Sequence, residues 1–381
     1  MLKRILDLNN LLINKSFFLF GPRATGKSTL IEMQLADGVP IIDLLDSEIY
    51  LRLSAKPYEL KTLITNCDDK KWVVIDEIQR IPELLNEVHR LIEKEKFRFL
   101  LTGSSARKLK RSSVNLLAGR AWKAELYPLT SAEILDFNLE RYLRYGGLPN
   151  VYLSQHPDEE LYAYIDTYLK HEIQAEALVR KIPAFNRFLQ TSALTSGRML
   201  NFSEVASDAG IPITTVREYY QILEDTFIGF MLPSWTKTVK RKAISTAKFY
   251  YFDLGVKNTL ADTKLIPPKT DLYGQAFEHF LALELRAYLS YRRKQVSLSY
   301  WRSKHGHEVD FIVGDDIAIE VKTTNTTSDK HFKGLKALAE ENICKRYILV
   351  SHDHVQRKVN QFEVMHWQIF LSLLWSDEII T

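Results

Sequence analysis

The sequence predicts an α/β protein with a parallel sheet in its first domain, a helical region in the middle and a second α/β domain at the carboxyl end. Three observations predict this class. A glycine-containing loop separates the apolar run Phe17–Phe20 from a segment with helical spacing. The apolar run Trp72–Ile75 leads directly into two carboxylates, and open α/β sheets bind their ligands at the carboxyl ends of such strands. In the last third, a helix-like segment precedes three strand-like runs, a helix and a strand.

Length and composition are those of a multidomain globular protein. The chain has 381 residues, of which 46% are apolar and 26% charged, and we expect domains at residues 1–130, 131–240 and 241–381. The net charge of +4 does not by itself indicate a nucleic-acid partner. The two cysteines, Cys67 and Cys344, lack metal-type spacing and indicate a reducing compartment.

The beginning of the chain gives no indication of export. Lys3, Arg4 and Asp7 interrupt any apolar core of a signal peptide. No apolar run approaches the ~20 residues needed to cross a bilayer. We therefore expect a soluble, cytoplasmic protein with no membrane partner.

The loop Gly21–Ser28 predicts a phosphate site. Gly21 and Gly26 let the backbone curve around an anion, and amides at the start of the next helix point toward it. Lys27 would reach the β- and γ-phosphates of a nucleoside triphosphate, and the Ser28 hydroxyl would bind Mg²⁺. This order of strand, loop, Gly-Lys-Ser and helix is the phosphate-binding loop, or Walker A motif. The residues expected to contact the nucleotide are Gly21, Pro22, Arg23, Ala24, Thr25, Gly26, Lys27, Ser28, Thr29, Asp76 and Ser104.

The next chemical signal is the carboxylate pair Asp76-Glu77, which ends a buried-type strand. Asp76 would hold Mg²⁺ together with Ser28, as a Walker B aspartate does. Glu77 would polarise the attacking water as a general base. Solvated surface charge is the alternative for such a pair, but the position after an apolar strand favours the catalytic interpretation.

Two further features of the first domain carry candidate residues. The run Phe97–Ser105 predicts a strand that ends in small hydroxyl residues, of which Ser104 or its neighbours would bond the γ-phosphate or the lytic water. A plain turn after the strand is the alternative. Arg120 would neutralise transition-state charge as an arginine finger, in its own or a neighbouring subunit. Arg107 is a second candidate for that role, and a surface ion pair is the alternative.

Together these motifs resemble the AAA-type P-loop ATPases, and in particular a prokaryotic group of them. The matching segments are Gly21–Lys27, Asp76–Arg80, Leu101–Ser105 and Leu117–Arg120. The resemblance implies a core of the AAA/ASCE type that binds ATP and Mg²⁺, a helical lid, and a C-terminal domain. It also allows assembly into a homo-oligomer.

The middle region predicts a helical lid that contains a helix-turn-helix or winged-helix-like unit. Asn201 and Thr215 each precede a glutamate by three residues, which predicts a cap at the start of two successive helices. The second helix would present Thr214, Thr215 and Arg217 to a DNA groove. Packing against protein is the alternative for this unit. The basic residues that follow would track a phosphate backbone or form a solvated linker: Lys237, Lys240, Arg241 and Lys242.

The last domain combines two carboxylates and a lysine on adjacent strands. Side chains alternate along a strand, so Glu320 and Lys322 share one face, and an antiparallel neighbour would bring Asp310 to them. Two carboxylates suit Mg²⁺, and a lysine beside them can position a water.

This arrangement resembles the PD-(D/E)xK nucleases, whose fold is that of restriction endonucleases, in a form similar to the DUF4143 domains. Asp310 matches the metal aspartate, and Glu320-Val321-Lys322 matches the (D/E)xK signature. Glu278 matches the acidic helix residue that many members add, which makes it a third metal ligand in the resemblance. The sequence departs from the pattern at Val309, where the motif has proline.

The sequence therefore predicts an ATPase joined to a DNA-directed module that cleaves or binds DNA. The alternative is a nucleotide-dependent signalling or scaffold ATPase whose last domain only binds a partner. A motor that remodels proteins is a third class, which would respond to polypeptide rather than to DNA.

Overall fold

The computed structural model describes residues 3–35, 38–65, 71–105, 107, 117, 119–169 and 182–380, and Cys67 and Ala118 lie outside them. The chain divides into two compact units. The first comprises Met1–Leu129 and Ile222–Ile228, and the second comprises Thr130–Gln221 and Gly229–Thr381. The predicted border after residue 130 lies one residue from this division, whereas the predicted border after residue 240 falls inside the second unit.

A parallel sheet forms the centre of the first unit. Its strands are β1 (Ser16–Phe20), β2 (Ile41–Asp43), β3 (Trp72–Asp76), β4 (Arg98–Gly103) and β5 (Ala121–Glu125). Within the described residues the order across the sheet is β2-β3-β4-β1-β5, and each pair is parallel. The helices are α1 (Leu8–Asn14), α2 (Lys27–Leu35), α3 (Ser47–Ala55), α4 (Leu60–Leu63) and α5 (Leu84–Glu95).

Local sequence explains why these elements begin and end where they do. All five residues of β1 are buried, as expected for an apolar strand covered on both faces. The Asp46 carboxylate accepts the amide hydrogen bonds that open α3, and this helix ends before Pro57. Because the strands are parallel, the carboxyl ends of β1, β3 and β4 lie at one edge of the sheet.

Helices dominate the first part of the second unit. They are α6 (Leu139–Tyr145), α7 (Pro149–Leu153), α8 (Pro157–Ala163), α9 (Ile182–Leu194), α10 (Phe202–Ala209), α11 (Ile213–Asp225, whose last turn belongs to the first unit) and α12 (Leu254–Leu260). The strands β6 (Gly229–Leu232) and β7 (Lys248–Tyr251) pair antiparallel after α11. Among the described residues, no helix is long and apolar enough to cross a membrane.

The two predicted helix caps have different outcomes. The Asn201 side chain accepts from the Glu204 amide at 3.2 Å and caps α10, as predicted. The prediction for Thr215 is wrong, because α11 already begins at Ile213, and the Val216 amide donates to the Pro212 carbonyl. Thr215 therefore lies inside the helix rather than at its cap.

The glycine pair before Pro149 does more than separate two helices. Gly146 has φ of 74°, and a Cβ there would lie 2.1 Å from the Asp253 carboxylate. That carboxylate accepts from the Gly147 amide at 2.7 Å and from the Val256 amide at 3.0 Å. The buried Asp253 thus joins this loop to the start of α12, which explains why glycine is required.

The last part of the chain follows the predicted order of helix, three strands, helix and strand, which is confirmed. The elements are α13 (Asp271–Tyr291), β8 (Leu298–Arg302), β9 (Glu308–Val313), β10 (Ile317–Val321), α14 (Lys333–Ala339) and β11 (Arg346–Ser351), followed by β12 (Arg357–Val359), β13 (Phe362–His366) and α15 (Trp367–Trp375). In the described residues the sheet order is β12-β13-β11-β10-β9-β8. The strands β8, β9 and β10 form an antiparallel meander, and β11 runs parallel to β10.

Candidate functional site

The phosphate-binding loop follows β1 and is shaped by its glycines. A Cβ at Gly21 would lie 2.3 Å from the Leu126 carbonyl oxygen, so no side chain fits there. Ala24 and Gly26 both have positive φ, at 60° and 88°. The loop is fixed from within by Thr25, whose buried hydroxyl donates to the Pro22 carbonyl at 2.9 Å.

Lys27 begins α2 and turns its side chain back into the loop. Its ammonium donates to the carbonyls of Gly21 at 2.8 Å and Pro22 at 2.9 Å. Burial lowers the pKa of Lys27 to about 8, although the nearby carboxylates Glu77 and Asp76 act in the opposite direction. The cation is therefore held within the curve of the loop, where a phosphate would meet it.

Ser28 and Asp76 meet as the sequence predicted for a Mg²⁺ site. The Ser28 hydroxyl donates to Asp76 Oδ2 at 3.1 Å. Thr102, at the end of β4, donates to the other carboxylate oxygen and accepts from the Glu77 amide at 3.1 Å. A hydroxyl and a carboxylate are hard oxygen ligands, so the donor set fits Mg²⁺ bound together with nucleotide phosphates.

Glu77 lies beside the same strand ends in a strained backbone conformation. Its φ is 57°, a left-handed value that is uncommon for a residue with a side chain, and the residue is buried. Gln79 Nε2 donates to Glu77 Oε2, and the Ser104 hydroxyl approaches the same oxygen at 3.3 Å. The predicted general base is thus held by two neighbours, one of which, Gln79, sequence reasoning left without a role.

Arg4 is a further residue that sequence reasoning missed. Its guanidinium donates to the Thr25 carbonyl at 2.9 Å and to the Tyr127 carbonyl at 2.6 Å. It therefore supports the phosphate-binding loop from outside. No local signal marks this role, because the two carbonyls lie far away in the sequence.

In the second unit, the meander brings Asp310, Glu320 and Lys322 together as predicted. The register of β9 and β10 pairs Phe311 with Ile319 and continues toward Asp310 and Glu320. Asp310 Oδ2 accepts from the Val321 amide at 2.7 Å, and Lys322 Nζ lies 2.5 Å from Glu320 Oε1. The other oxygen, Glu320 Oε2, is buried and makes no hydrogen bond.

The electrostatics of this second site follow from two buried carboxylates placed side by side. Burial, with a further contribution from Glu278, raises the pKa of Asp310 to about 6. Burial and then Asp310 raise the pKa of Glu320 well above its usual range. Burial alone would lower the pKa of Lys322, but the two carboxylates raise it above its ordinary value. A pair of this kind favours an added proton or cation.

The third predicted metal ligand, Glu278, does not complete a three-carboxylate site. Within the part of the chain that the structure describes, no group of three or more acidic, histidine or cysteine side chains is arranged to hold a metal ion. Glu278 Oε1 instead accepts from Lys248 at 2.9 Å and from the Tyr250 hydroxyl at 2.6 Å. The set that fits Mg²⁺ is therefore Asp310 with Glu320, and a site of two carboxylates would leave positions for water and a phosphate oxygen.

Comparison with known proteins gives the segment with the first site a match to a described family, and the rest of the chain matches to families of unknown function. Residues 13–135 match the model of a family described as AAA domain. We refer to this matched segment as the AAA domain. Residues 136–265 and 273–370 match two families described as domains of unknown function, DUF8612 and DUF4143. The last match agrees with the predicted DUF4143-like domain and leaves its chemistry open.

Two similar proteins extend over almost the whole chain. An uncharacterized protein of Haemophilus influenzae is 23% identical and covers 91% of each chain. An uncharacterized protein of Methanocaldococcus jannaschii is also 23% identical, over 91% of this chain and 85% of its own. Their descriptions name no activity.

Solved structures give weaker likenesses. The Aeropyrum pernix ORC1 protein in complex with DNA has a TM-score of 0.26 and 13% identity over 65% of this chain and 86% of that one. AMPPCP-bound DnaA from Aquifex aeolicus has a TM-score of 0.30 and 13% identity over 57% and 85%. At these TM-scores neither likeness supports a conclusion about function.

The AAA domain places Arg120 away from its own phosphate-binding loop, which corrects the prediction of a role there. Arg120 precedes Ala121, which pairs with Ser16 at the start of β1, whereas the loop follows the end of that strand. Five residues of strand separate the two edges, about 16 Å. Arg120 Nε lies 2.5 Å from Glu93 Oε1 in a surface ion pair. A role in a neighbouring subunit stays a prediction. Arg107 follows β4 in the chain, and its amide donates to the Ser105 hydroxyl at 3.2 Å.

Outside the AAA domain, the residues predicted to meet DNA have mixed surroundings. Thr214 is exposed and Thr215 is half-buried, whereas the Arg217 guanidinium lies over the Phe202 ring at 4.6 Å from its centre. The basic stretch after β6 is bound to acidic residues of the same unit. These contacts join Lys237 with Asp315 at 2.5 Å, Arg241 with Glu340 at 2.5 Å, and the amides of Val239, Lys240 and Arg241 with Glu341. These contacts hold the stretch against its own unit, and its contact with a phosphate backbone stays a prediction.

Proposed function

We propose that the AAA domain binds ATP with Mg²⁺ and hydrolyses it. The observation that carries this proposal is the contact of Ser28 with Asp76 beside a lysine-bearing glycine loop. Magnesium bound at these oxygens would supply charge neutralisation at the phosphates. Lys27 would exchange its two carbonyl partners for phosphate oxygens, and the loop amides would bind the same anion.

Glu77 is the residue that would accept a proton from the attacking water. The left-handed backbone and the contacts with Gln79 and Ser104 hold its carboxylate beside the ends of β3 and β4. Release of Glu77 Oε2 from Gln79 would free that oxygen for the water. A general base contributes typically about 10²–10⁴-fold to rate, which sets the expected effect of removing it.

Turnover of Mg·ATP by the full chain and by two variants tests this function. Glu77→Gln should bind ATP with nearly normal affinity and lose about 10²-fold or more of turnover. Lys27→Met should lose binding itself. A chain that binds ATP but shows equal, slow turnover with and without Glu77 would be a nucleotide-binding protein rather than an ATPase.

A second candidate function belongs to the carboxylate site of the last domain. We infer that Asp310 and Glu320 bind a divalent cation and that this domain cleaves phosphodiester bonds in DNA. The observation that favours it is the buried, unbonded Glu320 Oε2 beside Asp310 and Lys322. A bound Mg²⁺ would stabilise charge at phosphorus. Lys322 would hold or orient the attacking water.

DNA degradation in the presence of Mn²⁺ or Mg²⁺, with and without ATP, tests the second function. Asp310→Ala should abolish cleavage of labelled duplex or single-stranded DNA, while Lys345→Met, on a solvent-exposed ion pair, should not. Absence of cleavage by the wild type under every nucleotide condition would favour the signalling or scaffold alternative. Stimulation of ATP turnover by unfolded polypeptide rather than by DNA would favour a protein-remodelling motor.

A further inference from the structure

Lys248 is a buried cation at the edge of the carboxylate site of the last domain. Its side chain is only 4% exposed. The ammonium lies 2.9 Å from Glu278 Oε1 and 2.8 Å from Glu308 Oε1. It also lies over the ring of Tyr300, 5.0 Å from the ring centre. One lysine, carried by β7, thus bridges two carboxylates from α13 and β9.

Both bridged carboxylates have additional partners, which fix them in this arrangement. Tyr250, two residues after Lys248 on the same strand, donates to Glu278 Oε1 at 2.6 Å. Arg302 pairs with Glu308 Oε2 at 2.6 Å. Glu278 and Glu308 therefore have their charge neutralised by the protein itself. Lys322 pairs with Glu320 Oε1, Asp310 accepts from the Val321 amide, and the other oxygen of Glu320 makes no hydrogen bond.

The four neighbouring carboxylates therefore form two sets. Glu278 and Glu308 bind the ammonium of Lys248, whereas Asp310 and Glu320 can bind a divalent cation. We propose that Lys248 takes the place of a metal ion at Glu278 and Glu308, and confines divalent-cation binding to a single ion at Asp310 and Glu320. The inference rests on the second proposed function, since it concerns the same site. It makes Lys248 a positioning residue and removes Glu278 from the metal ligands.

The physical reason is that a fixed ammonium and a divalent cation compete for the same oxygens. Two carboxylates bridged by a buried lysine are already paired, and a metal ion there would be repelled by the ammonium at close range. The lysine is held by two strong charge-assisted hydrogen bonds and by an aromatic ring, so it has little freedom to withdraw. The ammonium at Asp310 and Glu320 belongs to Lys322, whose side chain is 36% exposed and pairs with one Glu320 oxygen, so it can withdraw, and Glu320 Oε2 makes no hydrogen bond.

Manganese binding to the full chain without nucleotide tests the proposal, with ions counted by electron paramagnetic resonance and affinity measured by calorimetry. Wild type should bind one Mn²⁺ that Asp310→Asn removes. Glu278→Gln should leave that binding unchanged. Lys248→Met should add a second ion or tighten binding by about tenfold or more, the scale that removal of a nearby like charge sets. Lys345→Met is the matched control, because that lysine forms an exposed ion pair.

The outcomes distinguish failure of the proposal for Lys248 from failure of the proposed cleavage function. If Glu278→Gln weakens Mn²⁺ binding as much as Asp310→Asn does, the proposal for Lys248 is overturned. The same holds if a folded Lys248→Met chain binds Mn²⁺ as wild type does, and where that variant does not fold, the Glu278→Gln result decides. If wild type binds no ion that depends on Asp310, the cleavage function fails. A gain of Mn²⁺ by Lys248→Met would then still support the lysine's role, and no gain would overturn it.

Discussion

At the scale of single residues, Lys27 of the nucleotide site is a cation whose charged form is disfavoured by burial. The ammonium is buried among loop carbonyls, and burial lowers its pKa to about 8 from an ordinary value near 10.5. The charged form therefore costs folding stability at neutral pH, and this cost declines as pH rises between these two values. A phosphate bound in the loop would instead favour the charged form of Lys27.

We therefore predict that ATP affinity depends on pH through Lys27. Above the pKa of about 8, each pH unit should weaken binding by about tenfold at most, because the lysine must take up a proton to bind phosphate. Calorimetry in buffers of different ionisation enthalpy measures that proton uptake directly. Lys27→Met should lose ATP binding, and any residual affinity should lack this pH dependence. Constant wild-type affinity across this range would contradict the prediction.

Gly21 is the second residue whose effect can be predicted. A Cβ there would lie 2.3 Å from the Leu126 carbonyl oxygen, and that residue is held in place because its own amide donates to Phe20. Gly21→Ala should lower the free energy of unfolding by about 2 kcal/mol or more and abolish ATP binding. Gly119→Ala is the matched control: its φ is also positive, but nothing lies within 4 Å of the added carbon. It should cost about 1 kcal/mol.

Urea denaturation of both glycine variants, with ATP binding measured beside it, tests the comparison. Equal losses for the two substitutions would mean that backbone conformation alone, and not the close approach of Leu126, requires glycine in the loop.

At the scale of helices and strands, the features predicted correctly are those that hydrophobic periodicity and the order of elements along the chain determine. Strand β1, the glycine loop and helix α2 follow one another in the chain, and parallel pairing then brings Asp76 to Ser28. Arg4 was not predictable as a site residue, because both of its partners are fixed only by tertiary packing, and the same holds for the contact of Gln79 with Ser104. The position of Arg120 was hidden for the same reason: its own strand begins at the opposite edge of the sheet from the loop, and a role in a neighbouring subunit stays a prediction.

Helix α13 contains an example of an interaction that joins distant elements. Glu284 Oε1 accepts from the Ser131 amide at 2.7 Å, and Oε2 accepts from the Ser131 hydroxyl at 2.9 Å and from Trp375 Nε1 at 2.8 Å. Burial raises the pKa of Glu284 to about 7 from an ordinary value near 4.5. The protonated form is therefore favoured in the folded state.

This shift predicts how stability changes with pH. For an acid whose folded pKa is raised, the favourable contribution is complete below the unfolded value and is lost as pH rises through the folded value, here from 4.5 to about 7. Glu284→Gln, which mimics the protonated acid, should flatten the decline in stability across this window. Urea denaturation at several pH values compares the variant with wild type and with Glu140→Gln on the surface. A stability difference between Glu284→Gln and wild type that does not change with pH would refute the predicted contribution of Glu284.

At the scale of the whole molecule, the chain leaves the first unit after Leu129 and returns to it for only seven residues, Ile222–Ile228. Hydrophobic patterning gave no sign of this return, because a contact between residues some two hundred positions apart leaves no local periodicity. Lys248 was overlooked for a similar reason: its role depends on carboxylates from α13 and β9, which lie 30 and 60 positions further along the chain.

The returning segment has a direct contact with the strand that leads to the phosphate-binding loop. The Phe227 ring stacks on Phe20, with ring centres 5.4 Å apart, and the Lys123 ammonium lies near both rings. Phe20 is the last residue of β1, immediately before Gly21. The chain continues from Phe227 directly into β6 and its partner β7, which carries Lys248.

We predict that ATP binding alters the hydrogen-exchange protection of β6 and β7 and that this response passes through Phe227. Phe227→Leu keeps an apolar side chain but removes the aromatic stack, at a cost of about 0.5–1.5 kcal/mol. It should leave ATP affinity near the wild-type value while reducing the ATP-dependent change in exchange of both strands. Hydrogen-exchange mass spectrometry of the wild-type, Phe227→Leu and Lys27→Met chains measures this, and the last variant should show no response because it does not bind ATP. An undiminished response in Phe227→Leu would mean that the nucleotide acts on these strands by another route, because the ring contact is the feature that the substitution removes.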